Sequence, residues 1–156
     1  MIATFLIAFA VLAPGPCDLL DRATVSSILG KPVTDVKATG PARDADIGGT
    51  IAFCTYRAGA AALVVSQITF ASADVARKST NKELVDSRMD DEVTEFKEVT
   101  GVGDRAFWAY TETGAEFVVL KGAIVLGVSL GGSLPNPPAS YEATLRAAAS
   151  AAAAKL

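Results

Sequence analysis

Apolar and polar residues alternate with period two along two stretches of the chain, a pattern that makes half-buried strands. The first covers Thr50 to Arg57 and Ala61 to Phe70, with a tight turn at Ala58-Gly59 between them. The second predicts four strands near residues 93–99, 104–111, 115–121 and 123–130. Their turns fall at Gly101-Val102-Gly103, Thr113-Gly114 and Gly122. Helical spacing appears in three places. Residues 21–30 carry an apolar stripe of Val25, Ile28 and Leu29 between an Asp21 cap and a Gly30 stop followed by Pro32. Ser72 caps a second helix running towards Met89. An Ala-rich third helix repeats Tyr141, Leu145, Ala149, Ala152 and Leu156 on one narrow face. Val33 to Thr39 reads as extended, Gly40 to Gly49 as a polar loop, and Gly131 to Pro138 as a linker.

Short connections between successive strands favour antiparallel neighbours. The expected fold class is therefore α+β, with a single antiparallel sheet of six to seven strands and about three helices. The chain also resembles itself. V-T-D-V-K-A-T-G at 33–40 resembles V-T-E-F-K-E-V-T-G at 93–101, and residues 52–65 align without gaps to 106–119 with six of fourteen identities. This suggests a duplicated α-β-β-β unit, with chance similarity between hairpins as the alternative. In that alignment Cys54 takes the place of Trp108.

The length of 156 residues suits one domain, and 51% hydrophobic against 20% charged residues marks a globular chain. A net charge of −3 offers no basic surface for a phosphate backbone, so nucleic acid is not an expected partner. Ile2 to Ala13 is an uninterrupted apolar run followed by Pro14-Gly15-Pro16. It is shorter than the about 20 residues a membrane span needs and matches the apolar region of a secretion signal. Ala8-Phe9-Ala10 supplies a small-x-small cleavage pattern, although no Lys or Arg precedes the run. The alternative is a buried N-terminal element. The expectation is residues 1–13 as a signal-like segment, residues 17–156 as the domain, and membrane association only through an uncleaved N-terminus.

Export gives the two cysteines a meaning, since an even pair in an oxidising compartment reads as a disulfide; free structural thiols are the alternative. Pro14-Gly15-Pro16 does not form the lipid-attachment sequence that an acylated Cys17 requires. There is no histidine, and two thiols alone do not complete a zinc site.

Four short motifs occur in a distinctive order: Cys17-Asp18-Leu19-Leu20, Leu29-Gly30-Lys31-Pro32-Val33, Cys54-Thr55-Tyr56, and Gly101 to Trp108 in the pattern G-x-G-D-x-A-x-W. Together they resemble a family of small exported or lipid-anchored bacterial proteins of unknown function, abundant in actinobacteria. The resemblance implies a Cys17–Cys54 disulfide and an envelope location. It implies no activity.

Without histidine the commonest general base and triad partner are missing. Ser79-Thr80-Asn81-Lys82 matches the S-x-x-K motif of Ser–Lys enzymes, but no S-D-N or K-T-G follows. Gly101 to Ala106 matches G-x-G-x-x-A, yet an aromatic strand follows where the dinucleotide fingerprint needs a helix. Asp90-Asp91-Glu92 offers oxygen ligands for calcium without the loop that shapes a calcium site. No catalytic residue, metal ligand or cofactor is assigned. Phe107, Trp108 and Tyr110 are the candidate binding residues, with core packing as their ordinary role. Phe107 and Trp108 point to opposite faces of their strand, so a part-open face would be a binding surface. The expected function is a non-enzymatic exported domain that binds an envelope ligand or protein. An envelope enzyme and a structural partner of a larger complex are the alternatives.

Overall fold

The computed structural model describes residues 13–88, 90 and 92–156, and of residues 83–88 the backbone alone. Ile2 to Leu12 of the signal-like run, together with Met1, Met89 and Asp91, lie outside the described residues. The elements follow in order as α1 (Pro16–Leu19), α2 (Arg22–Leu29), β1 (Asp35–Asp44), β2 (Gly49–Ala58), β3 (Ala61–Phe70), α3 (Ala73–Arg88), β4 (Glu95–Val99), β5 (Arg105–Tyr110), β6 (Gly114–Lys121), β7 (Ile124–Gly132), a 3-10 turn (Pro138–Tyr141) and α4 (Glu142–Ala153).

All seven strands form one antiparallel sheet in the order β1-β2-β3-β7-β6-β5-β4. The fold is α+β with four helices among the described residues, one more than the periodicity indicates. The additional helix, α1, is a single turn and too short to show a 3.6-residue period. Strand β1 also departs from expectation. It continues through Gly40 and Pro41 to Asp44, where the composition reads as loop. An edge strand tolerates this: Pro lacks only a donor that need not pair, and the register shifts between Thr39 and Ala42 to absorb the break.

The sheet separates two cores. The larger lies under α1, α2 and α4 and holds Leu19, Leu20, Val25, Leu29, Cys54, Tyr56, Leu63, Val65, Trp108, Phe117, Val128 and Leu145. The smaller lies under α3, where Ala76 packs with Phe70, Phe107, Val118, Leu120 and Val125. Strand β5 thus buries both of its faces, which is why Phe107 and Trp108, adjacent in sequence, are only 2% and 1% exposed.

The repeated element order has a geometric counterpart. Strands β3 and β6 both pair antiparallel with β7, so they run parallel to each other on either side of it. In strand order and direction, a two-fold axis along β7 interchanges β1-β2-β3 with β4-β5-β6. Such an axis exchanges the faces of the sheet, and α2 and α3 do pack on opposite faces. The residue alignment does not follow this operation, because Cys54 and Trp108 face the same core. The order helix-strand-strand-strand thus occurs twice in the chain, while the residue alignment read from sequence does not follow the symmetry of the strands.

Candidate functional site

The site is built from α1 outward. Asp18 accepts a hydrogen bond from the Gly15 N–H at 3.1 Å while its own N–H donates to the Gly15 carbonyl at 2.9 Å, closing the single turn. Cys17 is joined to Cys54 of β2, with Cα atoms 5.0 Å apart. Two residues along β2, on the same face, the Tyr56 hydroxyl donates to the Leu20 carbonyl at 2.6 Å and lies 3.2 Å from the Cys17 carbonyl. Burial of the phenol, and secondarily the carboxylates of Asp18 and Asp21, push its pKa above the usual 10.0. From the other end of the chain, Lys155 donates to the carbonyls of Asp18 and Leu19 at 3.1 and 2.9 Å, satisfying groups that a one-turn helix cannot.

Held in this way, α1 walls one side of a groove of about 420 Å³ on the larger-core face. Residues 13–18 form one wall and residues 38–41 of β1 another; Thr50, Ala52 and Phe53, with Gln67 and Thr69, complete the lining. The lining is mostly apolar, and among the described residues Asp18 is its one charged member. Gln67 is 8% exposed, and its Oε1 is buried with no hydrogen-bond partner among the described residues. The cross-strand neighbours explain this: Gln67 stands between Ala52 and Leu126, neither of which has a polar side chain.

The aromatics singled out from sequence lie elsewhere. Phe107 and Tyr110 border a smaller groove of about 300 Å³ with Val93, Ala109, Glu116 and Ser129. Trp108 is enclosed in the larger core, its ring 6.1 Å from that of Tyr110. Sequence reasoning missed the groove beside α1. One signal was present: Gln67 occupies an inward position in the alternation of Leu63 and Val65, where an apolar residue is the rule.

The remaining motifs have structural explanations. Gly101-Val102-Gly103-Asp104 makes a turn into β5. Asp104 Oδ2 accepts from the Gly122 N–H at 2.6 Å, joining two turns at one end of the sheet. Ser79 is half-buried on α3 and Lys82 exposed, and neither lines a groove described above. Asp90 accepts from the Glu92 N–H at 2.9 Å in a local turn. Among the described residues no cluster of three His, Cys, Asp or Glu is placed to hold a metal ion.

No family model matches the chain, and no curated protein matches it in sequence, so the family resemblance stands on its short motifs alone. The fold is similar to a solved structure, the extracellular domain of PknH from Mycobacterium tuberculosis. The TM-score is 0.53 at 14% identity, over 88% of this chain and 90% of that one. At that identity the likeness concerns the fold.

Proposed function

We propose that the chain is an exported, non-enzymatic domain of the cell envelope that binds a small molecule in the groove beside α1. The observation that carries this reading is the groove itself, a concave and mostly apolar space walled by a helix that is cross-linked to the sheet. The disulfide supports an oxidising compartment. The likeness of the fold to an extracellular domain agrees with it. A structural partner of a larger complex would present a broad apolar surface, whereas Val75 is the one exposed large hydrophobic among the described residues. Neither Ser79 nor Lys82 lines the two grooves described above, so these give the Ser–Lys enzyme no support.

A thermal-shift screen against small molecules extracted from bacterial envelopes tests the proposal. A ligand that stabilises the wild-type protein and fails to stabilise the groove-filling variant Ala52→Phe supports it. Turnover of any such molecule that is lost in Ser79→Ala or Lys82→Ala would contradict it.

A further inference from the structure

We infer that the groove selects neutral amphiphiles, molecules with an apolar body and an uncharged hydroxyl or amide head, and that Gln67 is the residue that reads the head. This deepens the proposed function and rests on it. The inference begins with the buried amide oxygen of Gln67, which has no hydrogen-bond partner among the described residues. A carboxamide offers an acceptor oxygen and two N–H donors, and leaving the oxygen buried without a partner costs stability. Leucine in its place would continue the pattern of Leu63 and Val65 without that cost. Gln67 lines the groove, and its cross-strand neighbours Ala52 and Leu126 have no side-chain polar atoms. Rotation of the carboxamide towards the groove brings this oxygen within reach of a bound hydroxyl or amide, which supplies the missing donor.

Charge narrows the class. An ionised carboxylate has no proton to donate to Gln67 Oε1, and among the described lining residues the one charged group is the anionic Asp18. An ammonium head has the protons but would give up its hydration in a mostly apolar groove, while the Asp18 carboxylate is already engaged by the Gly15 N–H. Ala38, Pro41 and Ala52 offer nothing but apolar contact to the rest of the ligand. The chemistry that fits is a short alkyl chain or ring with a neutral, hydrogen-bonding head.

The test titrates the full chain with octanol, octanoate and benzene, followed by backbone amide NMR. Octanol should bind with shifts at Ala52, Gln67 and Thr69, and more tightly than octanoate. Gln67→Leu should weaken octanol by about five- to tenfold, the equivalent of one neutral hydrogen bond, while leaving benzene unchanged. The same variant should melt at a higher temperature than wild type, a combination that simple damage to the fold does not produce. Octanol affinity unchanged in Gln67→Leu, or octanoate binding as tightly as octanol, overturns the inference and leaves the groove as a cavity without head-group selection. If neither benzene nor octanol shifts any groove resonance of the wild type, the binding reading falls with it.

Discussion

The hydroxyl of Tyr56 and the carbonyl of Leu20 are joined by a buried hydrogen bond of 2.6 Å, across thirty-six positions of sequence. It lies beside the Cys17–Cys54 bridge, so α1 is held to β2 by a covalent and a polar link side by side. Of the four motifs that carry the family resemblance, C-D-L-L and C-x-Y meet here, while L-G-x-P-V and G-x-G-D-x-A-x-W contribute Leu29, Val33, Ala106 and Trp108 to the same core. These motifs build the scaffold around the groove.

Removing the bridge with Cys17→Ser and Cys54→Ser should lower stability by about 4 kcal/mol or somewhat less, the chain-entropy value for a loop of this length. Urea unfolding of wild type with and without reductant should show the same difference. The amides of residues 15–20 should lose exchange protection first, because α1 is a single turn without intrinsic stability.

Tyr56→Phe should cost about 1–2 kcal/mol through the lost hydrogen bond and the unsatisfied Leu20 carbonyl. The pH dependence follows from the raised pKa. Below the ordinary value of 10.0 the phenol is protonated in both folded and unfolded chains, and its contribution is complete. As pH rises, the unfolded chain ionises first, and the contribution is lost through the higher folded pKa. Alkaline denaturation curves of wild type should show this loss, and those of Tyr56→Phe should lack it.

Trp108, the sole tryptophan, should emit at short wavelength and resist quenching by iodide, since it is 1% exposed. Trp108→Ala should cost about 3–5 kcal/mol by leaving a large cavity in the core. Unfolding monitored by its emission should shift to the red in a single step with the loss of far-UV circular dichroism.

Gly103→Ala should be far more damaging than Gly59→Ala, although both residues have φ near +60°. At Gly103 a Cβ would lie 2.5 Å from the Leu120 carbonyl oxygen and 2.5 Å from Val119 Cγ1, whereas at Gly59 no atom of the described residues lies within 4 Å. The first should lose about 2–4 kcal/mol from strain and overpacking and the second about 1 kcal/mol from backbone strain alone, measured by chemical denaturation.

Local signals accounted for much of this fold. Asp21 caps α2 through the Thr24 N–H at 2.8 Å, Ser72 caps α3 through the Val75 N–H at 3.3 Å, and the strands of both hairpins fall where the alternation places them. What was not legible depends on tertiary context. The placement of β7 between β3 and β6 is a choice among sheet orders that no single strand encodes. Strand β1 runs through Gly40-Pro41 because it lies at an edge, and α1 exists because Cys54, Tyr56 and Lys155 hold it. The groove joins four separate segments of the chain, and only the inward position of Gln67 marked it beforehand. The aromatics of β5 attracted attention by residue type, yet Phe107 and Trp108 pack into opposite cores.

The most direct measurement is amide NMR of the isotopically labelled protein titrated with a small-molecule extract of bacterial envelopes. The account predicts saturable shifts confined to Gly15–Asp18, Thr50–Ala52 and Gln67–Thr69, the walls and floor of the groove. No saturable shift, or shifts clustered around Phe107, Tyr110 and Glu116, would contradict it.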